Sequence, residues 1–138
     1  MRRLTLLLSA SFAVGIAVGW FAVKGVTGYS EPVKRTLLLR TDLAGTEGQE
    51  GVMWLIDIAP GAATGKHYHP GHEFVYVLEG AGRTEVEGKP AATLRAREAL
   101  YLPPGQVHNT KNESATATTR ALAVYVGPKG HPLVVPVQ

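Results

Sequence analysis

The histidines of this 138-residue chain are the residues whose type and spacing could do chemistry. Four of the five lie in two short segments, with His67, His69 and His72 in the first and His108 in the second. In an extended segment, residues i and i+2 project to the same side, so His67 and His69 can aim two imidazoles at one point. Glu73 follows a Pro-Gly turn that can return its carboxylate to the same place. Nitrogen and oxygen donors that converge from a rigid sheet suit a divalent transition metal.

The spacing around these histidines resembles the two sequence motifs of the cupin superfamily. The first motif is matched at every defined position, by Gly61, His67, His69, Glu73 and Gly80. The second motif is matched by Pro103, Gly105, His108 and Asn112. Arg97 stands where the second motif opens with glycine. That glycine normally serves a turn that favours positive φ, so the departure concerns loop geometry and leaves the ligand set intact.

The resemblance implies a small closed β-barrel of the jelly-roll type that holds one divalent transition metal. The ion would be iron, manganese, zinc or nickel, and its implied ligands are His67, His69, Glu73 and His108. Three neutral imidazoles and one carboxylate leave one or two positions open on a six-coordinate ion, for water, substrate or dioxygen. The alternative to metal binding is that His67 and His69 are surface histidines on a loop, that Glu73 is a solvated carboxylate at a strand start and that His108 is a turn residue. Asn112 is expected to make turn hydrogen bonds.

Other catalytic machinery is sparse in this sequence. Without cysteine there is no thiolate zinc site, iron–sulfur cluster or cysteine nucleophile. No serine stands in a nucleophile elbow, and no glycine-rich phosphate loop predicts a nucleotide cofactor. Any reaction that the protein catalyses is therefore expected to depend on the metal. The catalytic candidates that could handle protons beside it are His72, Tyr76, Tyr101 and Gln106.

The body of the chain is predicted to consist of strands, because no stretch keeps a helical periodicity over three turns. Short β-branched and aromatic segments end at glycine or proline turns about every ten residues, and 52–58 and 74–78 are the clearest. This pattern predicts an all-β fold, a closed barrel or jelly roll. Apolar residues at every second position are predicted to face an interior that suits a small aliphatic or partly aromatic molecule: Trp54, Ile56, Ile58, Val75, Val77, Leu100, Leu102, Leu122 and Val124.

The amino end predicts a membrane-targeting segment, which would add one hydrophobic helix before the barrel. Two arginines precede an apolar run over residues 4–23, and a helix of that length is about 30 Å long. Residues 1–28 are expected to be a signal peptide or a transmembrane anchor, and residues 29–138 the cupin domain. The domain is then extracytoplasmic, either periplasmic or anchored with its carboxyl end outside.

The net charge of +3 belongs to this leader. Arg2, Arg3 and Lys24 account for all of it, and the remaining body is formally neutral. Its basic residues are scattered and lack interleaved aromatics, so nucleic-acid binding is not expected.

Two classes of function follow from these patterns. The first is a metal-dependent enzyme that acts on a small organic molecule, with a dioxygenase-like oxidation favoured and isomerase, decarboxylase or lyase chemistry open. The second is a non-catalytic module that binds a metal and a small ligand for sensing or storage. The expected partners are that small molecule, the membrane through residues 4–23 if the leader is retained, and a second copy in a homodimer, since cupins often pair through barrel edges.

Overall fold

The computed structural model describes residues 31–138. These residues form strands, turns and loops, and none of them lies in a helix. The ten strands are β1 (Val33–Asp42), β2 (Gln49–Ile58), β3 (His67–Tyr68), β4 (His72–Glu79), β5 (Ala81–Val86), β6 (Ala92–Arg95), β7 (Ala99–Leu102), β8 (His108–Lys111), β9 (Thr119–Pro128) and β10 (Val135–Pro136). The all-β prediction is confirmed for this part of the chain. The predicted hydrophobic helix lies outside the described residues, and within 31–138 no helix is long and apolar enough to span a membrane.

Two antiparallel sheets of five strands make up the fold. One sheet has the order β1-β2-β9-β4-β7 and the other the order β10-β3-β8-β5-β6. The alternation of sheet membership along the chain brings β3 and β8 of one sheet opposite β4 of the other, which agrees with a jelly roll. The interior between the sheets is therefore lined from both sides.

One end of this interior is tightly packed. Val52, Trp54, Ala123 and Tyr125 form a buried cluster, against which Leu133 and Val134 near the carboxyl end also pack. Trp54 and Ala123 are direct partners across β2 and β9, so the largest side chain in the cluster faces the smallest. The close packing is also visible at a glycine: a Cβ added to Gly71 would lie 2.8 Å from the Tyr125 ring and 2.4 Å from a backbone oxygen.

The predicted orientation of β9 is wrong. Leu122 and Val124 were expected inside, but Ala121, Ala123 and Tyr125 are the buried residues of this strand. Leu122 and Val124 instead join Phe74, Tyr76 and Tyr101 on the outer surface of the first sheet. The periodicity of two was correct, but small alanines take the inward positions because the bulky β2 side chains already fill the space opposite them.

Strand β1 is not among the strands that the sequence predicts. It pairs along its length with β2, in a register that places Arg35 opposite Ile56 and Lys34 opposite Asp57. Directly opposed residues share a face of the sheet, so Arg35 lies on the interior face and Lys34 on the outer one.

Candidate metal centre

The four predicted metal ligands come from three strands and the turn between two of them. His67 begins β3 and is the direct partner of His108, which begins β8. His69 follows two residues after His67, and Glu73 is the second residue of β4 in the other sheet. All four side chains are buried, none of them more than 5% exposed. The cluster therefore lies between the two sheets, in the interior of the barrel.

Backbone carbonyl oxygens orient the three imidazoles. The Nδ1 atom of His67 is 2.8 Å from the oxygen of Gly65, that of His108 is 3.0 Å from the oxygen of Gln106, and that of His69 contacts the oxygen of Leu133. A carbonyl oxygen only accepts a hydrogen bond, so each Nδ1 carries the proton and donates it. Each Nε2 is then left with a free lone pair, which is the tautomer that a metal-binding histidine needs.

The ring nitrogens converge to the spacing of a shared ion. One ring nitrogen from each of His67, His69 and His108 lies within 4.8 Å of those of the other two. The Glu73 Oε2 atom adjoins this group, 3.0 Å from Nε2 of His69 and 3.5 Å from Nε2 of His108. Two ligands that are each about 2.1 Å from one ion are separated by about 3 to 3.5 Å at octahedral or tetrahedral angles.

Electrostatics favour a cation at this position. Burial opposes the ionisation of Glu73, but the adjacent His108 and His69 imidazoles favour the ionised form more strongly and lower the pKa of Glu73 to about 2. Burial lowers the pKa of His67 to about 4. Burial also acts to lower the pKa of His69, yet the ionised Glu73 beside it stabilises the protonated imidazole, and this effect prevails and raises the pKa of His69. At neutral pH, the centre thus contains an ionised, buried carboxylate and a neutral His67, a donor set that a divalent ion would complete.

The residues present fit a metal. Within residues 31–138 the buried Nε2 of His69 has no hydrogen-bond partner of good geometry, although it points at Glu73. Buried polar atoms are normally satisfied, and an ion shared with its neighbours would satisfy this one. Three buried histidines can therefore hold a metal ion here.

The barrel is hollow on the side of the centre away from the packed end. The cavity is walled by aliphatic side chains such as Ile56, Val75 and Leu100, with threonine hydroxyls and the Arg35 side chain among them. The cavity volume is about 50 Å³, room for roughly four water molecules or one small organic molecule. The histidines and Glu73 line this cavity as well, so a bound molecule can reach them.

A comparison with protein families agrees with this geometry. The family described as "Cupin domain" matches residues 54–125, which is just over half of the chain and includes all four predicted ligands. The chain belongs to the cupin family. This confirms the resemblance that the two motifs carried.

Individual relatives of this cupin are distant. The tetracenomycin polyketide synthase protein TcmJ of Streptomyces glaucescens is 34% identical over 79 residues, which are 56% of this chain and 50% of TcmJ, so the chain spans about half the length of that relative. Among solved structures, the polyketide cyclase RemF of Streptomyces resistomycificus has a TM-score of 0.61 at 23% identity, over 78% of this chain and 72% of RemF. The DMSP lyase DddQ of Ruegeria pomeroyi has a TM-score of 0.64 at 17% identity, over 88% of this chain and 59% of DddQ. At these identities, the two structures establish the fold.

The catalytic candidates predicted around the metal do not line the cavity of this cupin. His72 and Tyr101 are exposed on the outer face of the first sheet, where the His72 Nδ1 is 2.8 Å from the Tyr101 hydroxyl oxygen and the rings stack. Tyr76 is 42% exposed on the same face. The Gln106 side chain donates to the backbone oxygen of Glu87, 3.1 Å away. Only the backbone of Gln106 serves the centre, through its bond with His108.

The cavity contains a charged residue that the sequence did not reveal. Arg35 lines it from β1, a strand that was not predicted. The signal that could have found it is the alternation of Val33, Arg35 and Leu37, but two leucines follow and hide the period of two.

Arg97 adopts the backbone conformation of the glycine that it replaces. Its φ is 74°, and among residues 31–138 it is the one residue besides glycines with a positive φ. Its amide donates to the Val77 oxygen at 2.9 Å, which holds the turn between β6 and β7 in place. The motif position therefore keeps its geometry at the cost of strain.

Replacing Arg97 with glycine is expected to stabilise this cupin. Relief of the left-handed conformation is worth about 1 to 2 kcal/mol, of which the greater freedom of glycine in the unfolded chain removes about 0.5 to 1 kcal/mol. The net gain of roughly 0.5 to 1 kcal/mol should raise the thermal midpoint by a few degrees, measured by circular dichroism. Arg97→Ala is the matched control, since it also removes the side chain but keeps the strain. A glycine variant no more stable than the alanine variant would contradict the prediction.

Proposed function

We propose that this cupin is a metal-dependent enzyme that carries out a dioxygenase-like oxidation of a small organic molecule inside the barrel. The metal would be one divalent transition ion, held by His67, His69, His108 and Glu73. The observation that carries the proposal is that this donor set lines the cavity, where three oriented imidazoles and an ionised carboxylate can contact a bound molecule.

The ion, when bound, would supply a Lewis acid with open positions and, if it is redox-active, a means of activating dioxygen. The protein supplies the remaining functions. Carbonyl oxygens fix each imidazole, and Glu73 balances part of the positive charge. The aliphatic walls exclude water from the bound molecule, which strengthens every electrostatic interaction inside.

The inventory of the cavity favours oxidation over other reactions. Among the described residues that line it, the titratable side chains are the four proposed ligands and Arg35. If all four ligands are occupied by the ion, no side chain is left to accept a proton, because arginine keeps its proton at physiological pH. A lyase or isomerase, which needs such a base, is then poorly provided for.

A second candidate is a non-oxidative lyase or cyclase. The observation that favours it is that His67, His69 and His108 form a tight group by themselves, with Glu73 adjoining two of the three. If the ion uses the histidines alone, the ionised Oε2 of Glu73 can accept a proton from a bound substrate. A cyclase and a lyase are also the activities named for two of the similar structures.

Replacement of Glu73 by glutamine separates these candidates. Metal content is measured by elemental analysis after dialysis, and turnover is followed as oxygen uptake and as substrate loss under anaerobic conditions, with a panel of small organic acids, phenols and thiols. Glu79→Gln is the matched control, because it makes the same change at the exposed end of the same strand. Circular dichroism confirms that the variant is folded.

Each outcome has a distinct meaning. If the Glu73→Gln variant loses both the metal and the oxygen uptake of the wild type, Glu73 is supported as a ligand, and so is the dioxygenase proposal. A variant that keeps the metal but loses an anaerobic reaction of the wild type supports Glu73 as the base of a lyase or cyclase and overturns the oxidation. Wild-type protein that is fully metallated but inert with the whole panel overturns both and favours the non-catalytic binding module.

This activity is proposed to take place outside the cytoplasm, which the arginines and the apolar run of residues 1–28 support. Protease added to spheroplasts is expected to digest the barrel domain, and a fully protected domain would contradict export.

A further inference from the structure

Arg35 is the one basic side chain, lysine or arginine, that lines the cavity among the described residues. Its partner across β1 and β2 is Ile56, which also lines the cavity. Glu73 and Val52 lie in a common row of the sheet, since both pair with Tyr125, and Ile56 is four residues further along β2. Arg35 is thus anchored about 13 Å along the strand from the metal centre. Its long side chain lines the same cavity as the histidines, and its charge acts on Glu73 and His69.

The guanidinium of Arg35 is not neutralised by the protein. Within residues 31–138 no carboxylate lies within 4.0 Å of it, whereas Arg40 and Arg120 both form ion pairs. Arg35 is an exposed residue of an edge strand, but desolvation of its guanidinium still lowers its pKa, and the charge of Glu73 acts in the opposite direction. A partly desolvated cation without a counter-ion gains most from an anion that enters beside it.

The remaining lining limits what that anion can be. Between Arg35 and the histidines, the walls are aliphatic and carry only threonine hydroxyls as further polar groups. The free space of about 50 Å³ admits few heavy atoms. A single guanidinium suits one carboxylate in a bidentate contact, and it is too little positive charge for a polyphosphate.

We propose that Arg35 is a specificity-determining residue, which binds the carboxylate of a short, mainly aliphatic organic acid while the rest of that molecule extends to the histidines. This inference deepens the proposed function, because it names the substrate class of the same cavity. Arg35 would act by orientation: the carboxylate stays beside the guanidinium, and the carbon chain lies against the aliphatic walls with its other end at the metal centre.

The test is binding of butyrate to the full chain, measured by isothermal titration calorimetry. Butyramide is the probe control, since it has the same shape without the charge. Arg35→Gln removes the charge, Arg35→Lys restores it without the planar fork, and Lys34→Gln is the matched control on the outer face of the same strand. Each protein is titrated both metal-loaded and after treatment with a chelator, and its metal content is recorded.

We expect the wild type to bind butyrate at least tenfold more tightly than butyramide. Arg35→Gln should lose that preference with its metal content unchanged, Arg35→Lys should recover part of it, and Lys34→Gln should bind like the wild type. Equal binding of the two probes by the wild type, or full butyrate affinity in Arg35→Gln, would overturn the inference.

The design keeps this failure distinct from failure of the proposed function. If the wild type prefers butyrate but contains no metal after loading, the arginine site stands and the metal-dependent reaction falls. If the wild type binds the metal and consumes oxygen but binds butyrate no more tightly than butyramide, the proposed reaction is retained and the role of Arg35 is rejected.

Discussion

His108→Ala is expected to lose the metal ion, with an affinity at least 100-fold below that of the wild type. The variant removes one of three converging imidazoles, and the other two with Glu73 cannot complete the same coordination. Even loss of a residue that merely orients a ligand costs about 10- to 100-fold in metal affinity, so loss of a ligand itself should cost more. His67→Ala is expected to behave in the same way, because His67 is the direct cross-strand partner of His108.

The measurement is elemental analysis after dialysis against a weak chelator, followed by titration of the metal into the stripped protein. His72→Ala is the matched control, since His72 is a neighbour in sequence but lies exposed against Tyr101. It should keep the full metal content. Thermal unfolding should show the same ranking, because an ion that binds only the folded state stabilises it. A His108→Ala protein that retains one ion per chain would refute the centre as described.

Asn112→Ala is expected to lower the free energy of unfolding more than any of the other substitutions proposed above. Asn112 is completely buried, and its Nδ2 atom donates to the carbonyl oxygens of Ala117 at 2.7 Å, Ile58 at 3.0 Å and Ala59 at 3.3 Å. Its Oδ1 atom accepts from the amide of Ser114 at 3.0 Å. Alanine would remove these four hydrogen bonds, which tie the segment after β8 to the end of β2, at a cost of about 1 kcal/mol each. The total loss should be roughly 3 kcal/mol or more.

Thermal unfolding followed by circular dichroism should show a midpoint at least about 10 °C below that of the wild type at equal metal load. Asn109→Ala is the matched control, because the Asn109 side chain has one long contact, 3.4 Å from the hydroxyl of Thr64. Asn112→Asp should also be strongly destabilising, since a carboxylate cannot donate to three carbonyl oxygens. An alanine variant that melts within two or three degrees of the wild type would show that the predicted role is wrong.

The parts of the fold that local pattern determines were predictable from the sequence. The strands corresponding to β2 and β4 combine β-branched or aromatic runs with clear turns, and the structure has strands at those places. The convergence of His67, His69 and His108 was also predictable, because the i, i+2 spacing and the two motifs restrict where these side chains can point. The buried hydrogen bonds of Asn112 confirm the expectation of a turn role there.

The remaining features depend on partners that a single segment does not reveal. Which face of β9 is buried is decided by Trp54 and the other β2 side chains opposite it, so Leu122 and Val124 were assigned to the wrong side. The inward position of Arg35 depends on the register with β2, which a polar and leucine-rich segment does not specify. His72 and Tyr101 face outward because strand orientation, and not proximity in sequence to a ligand, decides which face a side chain occupies.

The buried Trp54 gives the barrel an optical readout. It is the one tryptophan within residues 31–138, its ring centroid lies 6.3 Å from that of His69, and its indole is shielded from solvent. Emission from such an indole is quenched by an open-shell ion a few ångströms away and is far less affected by zinc, which has a filled d shell. Once the contribution of Trp20 is removed by substitution, the fluorescence of a single side chain would distinguish the kinds of metal that the barrel accepts, without a label and without knowledge of the substrate.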